Sequence, residues 1–188
     1  MKYFFLSVLL TIAFGQPALA TPAQVLIIRH GEKIDDVNPH LSAVGKKRAA
    51  GLIHFFTENP QVNAYGPPAG IFAAAPAKEG KSVRPYETVA PLAKHLEQAV
   101  NLDFEANDIK KLVGLILKSA EYDGRTVLIS WTNSEIPKLA NMFGAKGVPS
   151  EWDSATFDRV WKIPFSEDGT PGKLEDIPQR VLPGDSEE

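Results

Sequence analysis

Arg29 and His30 stand side by side in VLIIRHGEK, directly after four apolar residues of strand-forming type. A neutral imidazole is a nucleophile that can attack phosphorus and hold it as a phosphohistidine. Neighbouring arginines lower its pKa and so favour that neutral form. A guanidinium also grips phosphate through its planar fork of N–H groups. Gly31 lets the backbone turn sharply and leaves a ligand room. A bare Arg-His-Gly step recurs by chance and, taken alone, reads as a surface histidine in a loop between strand and helix. A second cation changes this. SVRPYETVAPLA brings Arg84 to the first turn of a helix, where free N–H groups and the positive dipole end add to an anion site. Arg84 by itself is a solvated helix residue. Two arginines delivered from two strand–helix units are what a phosphate pocket needs. Lys78, Lys81 and Ser82 precede Arg84; they are candidates to line the entrance and attract anions, or else form a solvated loop.

The elements that must carry these residues follow from periodicity. QVLIIR and TVLISW are continuous apolar runs suited to strands buried on both faces. GIFAAA and VNLDF are shorter strand candidates, and FDRVWKIPF is expected as an edge strand whose Phe157, Val160, Trp161 and Ile163 pack the core rather than stack on bases. Ser42 is placed to cap a helix with an apolar face of Val44, Ala49, Leu52, Ile53 and Phe56, stopped by Pro60. A second helix begins near Ser82 with Pro85 in its first turn, and Pro91 is expected to kink it. NDIKKLVGLILKSAEYDG reads as an amphipathic helix, and SEIPKLANMFG as a short one ended by Gly144. Strands alternating with helices imply an α/β fold: a three-layer α/β/α sandwich with a mainly parallel central sheet. Ligands in such sheets gather beyond the carboxyl ends of the strands. Arg29 and His30 stand at one such end, and Trp131 and Asn133 at another.

The chain has 188 residues, no cysteine and a formal net charge of −3. The absence of cysteine removes disulfides, thiolate metal sites and a cysteine nucleophile. The small acidic balance argues against nucleic acid as a partner. MKYFFLSVLLTIAFGQPALA has a basic start, a short apolar stretch and a small-x-small ending, the pattern of a cleaved signal peptide. Residues 1–20 are therefore expected to be removed, leaving Thr21 first, no stable membrane anchor, and a periplasmic or secreted protein. Residues 21–188 are expected to form a single domain, with an irregular acidic tail rich in Pro and Gly from about residue 166.

LIIRHGEK, LSAVGKKRA, SVRPYETVAPLA and VLISW with the following IPKLANMFG, in that order, resemble the histidine phosphatase superfamily, also called the phosphoglycerate mutase-like family. The resemblance runs from about residue 25 to 144. RHGE is its most specific motif; Leu41, Ser42, Gly45, Arg48 and Ala49 match the second landmark, and Arg84 and Thr88 the third. The resemblance implies the phosphoglycerate mutase-like fold, with His30 as phosphate-accepting nucleophile and Arg29 and Arg84 as phosphate-binding arginines. It implies no metal or organic cofactor, and a phosphorylated small molecule or phosphate as ligand. Glu32, Asp35, Asp36, Glu87 and Glu135 are candidate proton donors, and Glu32, inside RHGE, is grouped with the catalytic residues. One departure stands out. The family's second active-site histidine follows the fourth strand, and a subgroup reads Trp-x-His with Ile-Pro shortly after. Aligned on Trp131 and Ile136-Pro137, that place holds Asn133. His40, His54 and His95 offer no obvious substitute. Asparagine donates a hydrogen bond but carries no charge and moves no proton; losing such a charged donor costs on the order of a hundredfold in rate. Two readings of different class stay open: a phosphomonoesterase with weakened turnover, and a non-catalytic module that binds a phosphorylated ligand.

Overall fold

The computed structural model describes residues 21–76 and 82–187. The expected signal peptide, and Lys78 and Lys81, lie outside the described residues. Six strands form one sheet in the order β3-β2-β4-β1-β5-β6. They are β1 (Gln24–Arg29), β2 (Gly70–Ala73), β3 (Val100–Asn101), β4 (Thr126–Trp131), β5 (Arg159–Pro164) and β6 (Glu175–Pro178). The helices are α1 (Ala43–Glu58), α2 (Arg84–His95), α3 (Ile109–Ile116) and α4 (Ile136–Met142). β1, β2, β3 and β4 run parallel; beyond β1, β5 pairs antiparallel with β1 and β6 antiparallel with β5.

β1 and β4 are the two central strands, and every residue in both is buried. Their apolar runs lack alternation because each face of the sheet meets helices. Leu26 and Ile28 point to a layer with Leu52, Phe55 and Phe56 of α1 and Val89 and Leu92 of α2. Val25 and Ile27 point the other way, to Ile109, Leu112 and Ile116 of α3 and Ile136 and Leu139 of α4. The two apolar clusters and the sheet between them are the three-layer α/β/α sandwich. Each large side chain among them contributes roughly 1.5–3 kcal/mol by leaving water.

Local signals explain most element ends. The Ser42 hydroxyl accepts from the Gly45 N–H at 3.1 Å and caps α1. Pro85 sits in the first turn of α2, where its missing N–H costs nothing. The helix continues through Pro91 to His95.

Several elements differ from the sequence expectation. Val44 is half exposed at the outer start of α1, and Phe55 takes the inward place. VNLDF pairs over two residues only, and α3 stops at Ile116 before a 3-10 turn over Ala120–Tyr122. β5 is not an edge strand: β6, from within the acidic tail, pairs along its outer side. Only Ile177 of β6 is buried, so four residues carry no readable alternation. Phe157 lies before β5 and not in it. Trp152 and Trp161 pack ring against ring at 4.9 Å in the core, as expected of packing aromatics.

Candidate functional site

The site begins where β1 and β4 end together. Arg29 is in register with Trp131, and the His30 N–H donates to the Trp131 carbonyl at 3.1 Å. The next residue is tied to a second strand–helix unit. The Gly31 N–H donates to the Thr88 hydroxyl at 2.8 Å, and that hydroxyl donates to the Arg84 carbonyl at 2.7 Å. Thr88 thus joins the loop carrying His30 to the first turn of α2 carrying Arg84. α1 closes in from a third side: a Cβ at Gly45 would lie 2.4 Å from the Glu32 carbonyl oxygen, so only glycine permits this approach.

His30 is 5 % exposed. Its Nδ1 lies 2.8 Å from the Gly31 carbonyl, which only accepts, so Nδ1 carries the proton and Nε2 the free lone pair. Burial pushes the imidazole pKa down to about 4, with Arg84, Arg29 and Lys33 adding to the shift and the Gly31 hydrogen bond opposing it. At neutral pH this is an uncharged imidazole held in one tautomer.

Arg29 is buried too. Its Nη1 donates to the carbonyls of Ser154 at 2.5 Å and Thr156 at 3.3 Å, and its guanidinium lies 4.0 Å from the centre of the Phe157 ring. Its buried Nε has no hydrogen-bond partner. Burial, then the nearby Arg84 cation, lower its pKa to about 10, against Asp153 and Glu32, which raise it. Arg84 Nε donates to the Ser82 hydroxyl at 2.8 Å and Nη1 to the Asp35 carbonyl at 3.4 Å. Arg29, His30, Arg84 and Ser82 are therefore brought together, and the two guanidinium groups feel each other's charge.

The carboxylates fall differently. Glu32 accepts from Arg48 Nε through both oxygens, at 3.0 and 3.1 Å, and from Nη2 at 2.7 Å. A carboxylate in such a fork is an ion-pair partner, which argues against Glu32 as the proton donor. Glu87 accepts from His40 Nδ1 at 2.6 Å and from the Leu41 N–H at 2.8 Å. Asp35 caps its own turn through the N–H groups of Val37 and Asn38, and Asp36 pairs with Lys33. Glu135 differs: its buried Oε2 has no hydrogen-bond partner, with Lys138 Nζ at 3.5 Å.

Asn133, in the turn after β4, lines a polar cleft of about 370 Å³ with Ser150, Trp152, Asp153 and Ser154 among its neighbours. The same loop supplies the carbonyls that hold Arg29. Sequence reasoning missed this loop, because backbone acceptors leave no mark on residue type. It also missed the bond Thr88 makes, although Thr88 stands in a matched landmark. No group of three or more His, Cys, Asp or Glu side chains placed to share a metal ion occurs among the described residues. No helix among them is long and apolar enough to cross a membrane.

No protein-family model and no curated protein matches the chain. Solved structures do. A mycobacterial glucosyl-3-phosphoglycerate phosphatase aligns over 83 % of this chain and 97 % of its own, at 12 % identity and a TM-score of 0.55. A phosphoglycerate mutase from Plasmodium falciparum aligns over 89 % and 98 %, at 15 % identity and 0.56. The protein histidine phosphatase SixA, in complex with tungstate, aligns over 83 % and 97 %, at 15 % identity and 0.55. The parallel strands and the helices on both faces are thus those of the phosphoglycerate mutase-like fold that these structures share.

Proposed function

We propose that the chain is a phosphomonoesterase working through a phosphohistidine. The observation that carries this is His30: buried, uncharged, with Nδ1 tied to the Gly31 carbonyl and Nε2 free, beside Arg29 and Arg84. Arg84 and the unbonded edge of Arg29 bind the phosphate oxygens. The Nε2 lone pair attacks phosphorus, the bond from phosphorus to the ester oxygen breaks, and the departing oxygen takes a proton. Water then attacks the phosphohistidine, giving phosphate and restoring the imidazole. Histidine supplies the nucleophile and arginine the charge, so these steps call on no metal or organic cofactor. Asn133 stabilises the transferring group with an uncharged amide only, which makes turnover slow. The departing oxygen takes its proton from water: Glu32, Asp36 and Glu135 are each ion-paired, and Asp35 and Glu87 are held by hydrogen bonds. Two of the similar structures are phosphatases, which supports the reading. With the leader at residues 1–20, the enzyme acts outside the cytoplasm, in periplasm or medium.

A second reading has its own support. Asn133 in place of a cationic donor, and the loop carbonyls occupying Arg29 Nη1, also suit a protein that only binds a phosphorylated ligand. Turnover of an aryl phosphate by the chain from Thr21, beside His30→Ala, separates the two. Turnover lost in the variant supports the enzyme. No turnover, with tungstate still raising the melting temperature, supports the binding module; activity unchanged in His30→Ala overturns the mechanism.

A further inference from the structure

Past β6 the chain returns to α1 and is anchored there by polar groups. Asp185 accepts from Arg48 through both oxygens, Nη2 to Oδ1 at 2.8 Å and Nη1 to Oδ2 at 2.9 Å. These side chains are only 5 % and 6 % exposed. Oδ2 also accepts from the N–H groups of Val181 and Leu182, at 2.9 and 3.0 Å, so Asp185 closes its own loop. The rest of the same guanidinium holds Glu32, and Nη1 also reaches Gln179 Oε1 at 3.2 Å. Arg48 therefore ties the end of the chain to the second residue after His30. The main chain of Glu32 is fixed as well, since its carbonyl accepts from the Ser42 N–H at 2.8 Å.

A second route reaches the other side of the site. The Ser186 N–H donates to Asp158 Oδ2 at 2.6 Å, and the Gln179 N–H to the Asp158 carbonyl at 2.8 Å. Asp158 follows Phe157, whose ring carries Arg29 and lies 6.2 Å from the His30 ring. A cavity of about 360 Å³, lined by Arg48, Phe157 and Asp185 among others, separates these two routes. Val181 packs on α1 and the apolar cluster beneath it, while polar bridges flank the cavity.

We propose that residues 180–186 form a strap that positions the phosphate site, with Asp185 as its positioning residue. Asp185 acts through Arg48 and Glu32 on the loop carrying His30, and the strap acts through Asp158 and Phe157 on Arg29. This rests on the phosphatase reading for its kinetic consequence only. Two charged partners share Arg48, with Nη2 bonded to both; removing Asp185 leaves Nη1 on Gln179 alone, lets the guanidinium reorient and so loosens the grip on Glu32. Water then reaches the imidazole, whose low pKa depends first on burial and next on Arg84, Arg29 and Lys33.

The test compares the chain from Thr21 with Asp185→Asn and with a chain ending at Gly184. Glu187→Gln, on the exposed ion pair with Arg180, is the control. Melting temperature, the His30 titration by NMR, and kcat and KM on an aryl phosphate are measured. In both strap variants the His30 pKa rises by about one unit or more. The same variants lose roughly ten- to a hundredfold in kcat, with KM within about threefold of the parent. Glu187→Gln changes neither. A lowered melting temperature with the His30 titration unchanged makes the strap a staple and overturns the proposal, as does failure of both variants to fold. If the parent shows no turnover, the phosphatase reading fails, and the His30 titration still decides the strap. If Asp185→Asn alone does not fold, the shortened chain decides, because it removes the Asp185 and Ser186 bridges together and leaves no buried amide in place of the carboxylate.

Discussion

His30 contributes a pH dependence whose sign is fixed by its environment. Its folded pKa lies near 4, below the usual 6.5, so between those values the unfolded chain binds a proton that the folded chain does not. Stability is therefore full above pH 6.5 and falls as the pH drops toward 4. The shift is worth roughly 3 kcal/mol at most. Urea denaturation at pH 7 and pH 4.5 should show this loss in the parent, and His30→Gln should remove a large part of it. The same shift places the acid limb of kcat/KM near pH 4. A limb near 6.5 would mean that the nucleophile is not the buried imidazole described here. Asn133 gives a second expectation: Asn133→His restores a cationic donor and raises kcat by up to about a hundredfold. An unchanged kcat would show that the cleft does not direct position 133 at the transferring group. The places of Arg29 and His30 at a strand end and of Arg84 at a helix start were legible in the sequence, because each has a defined neighbour pattern, whereas Asn133 was singled out only through the resemblance. The role of Glu32 was not legible, since its partner Arg48 is 16 residues away and one carboxylate reads like another.

The elements are held in register by single polar contacts at their ends. Thr88 is fully buried and satisfies both the Gly31 N–H and the Arg84 carbonyl. Thr88→Val keeps the volume and removes both bonds. The stranded Gly31 N–H costs about 1–3 kcal/mol, and the loop carrying His30 loses its link to α2. Urea titration measures the first effect. A drop in kcat larger than any change in KM measures the second; equal kcat would confine Thr88 to stability. The long elements were readable because burial on two faces writes continuous apolar runs into β1 and β4, and one-sided burial writes a stripe into α3. β3 and β6 were not. Two and four residues are too few for a period, and β6 takes its place only because β5 offers an unpaired side. Loop 150–157 was equally silent, since its grip on Arg29 is made by carbonyl oxygens common to every residue.

At the scale of the molecule, the site is an assembly of distant chain segments around two cations. Arg48 and Asp185 are 137 residues apart, and Arg29 and Ser154 are 125 apart; no local pattern could announce such pairings. What the fold gains from them is a pocket in which the Arg84 cation disfavours the charge on Arg29. An oxyanion placed between them relieves that repulsion, so binding should stabilise the whole fold by mass action. At a hundred times its dissociation constant a ligand adds about 2.7 kcal/mol. For a chain of this size that is a rise of roughly 5–10 °C in melting temperature. Tungstate, phosphate and vanadate should each raise the melting temperature in a concentration-dependent way, and the rise should fall as salt screens the pair. Arg84→Ala, which removes the less buried of the two arginines, should abolish the rise while leaving the unliganded melting temperature nearly unchanged or slightly higher. His30→Ala should retain most of it, because the histidine supplies the attacking atom and the arginines supply the charge. A rise that survives Arg84→Ala would place the anion elsewhere and detach the phosphate reading from the end of β1.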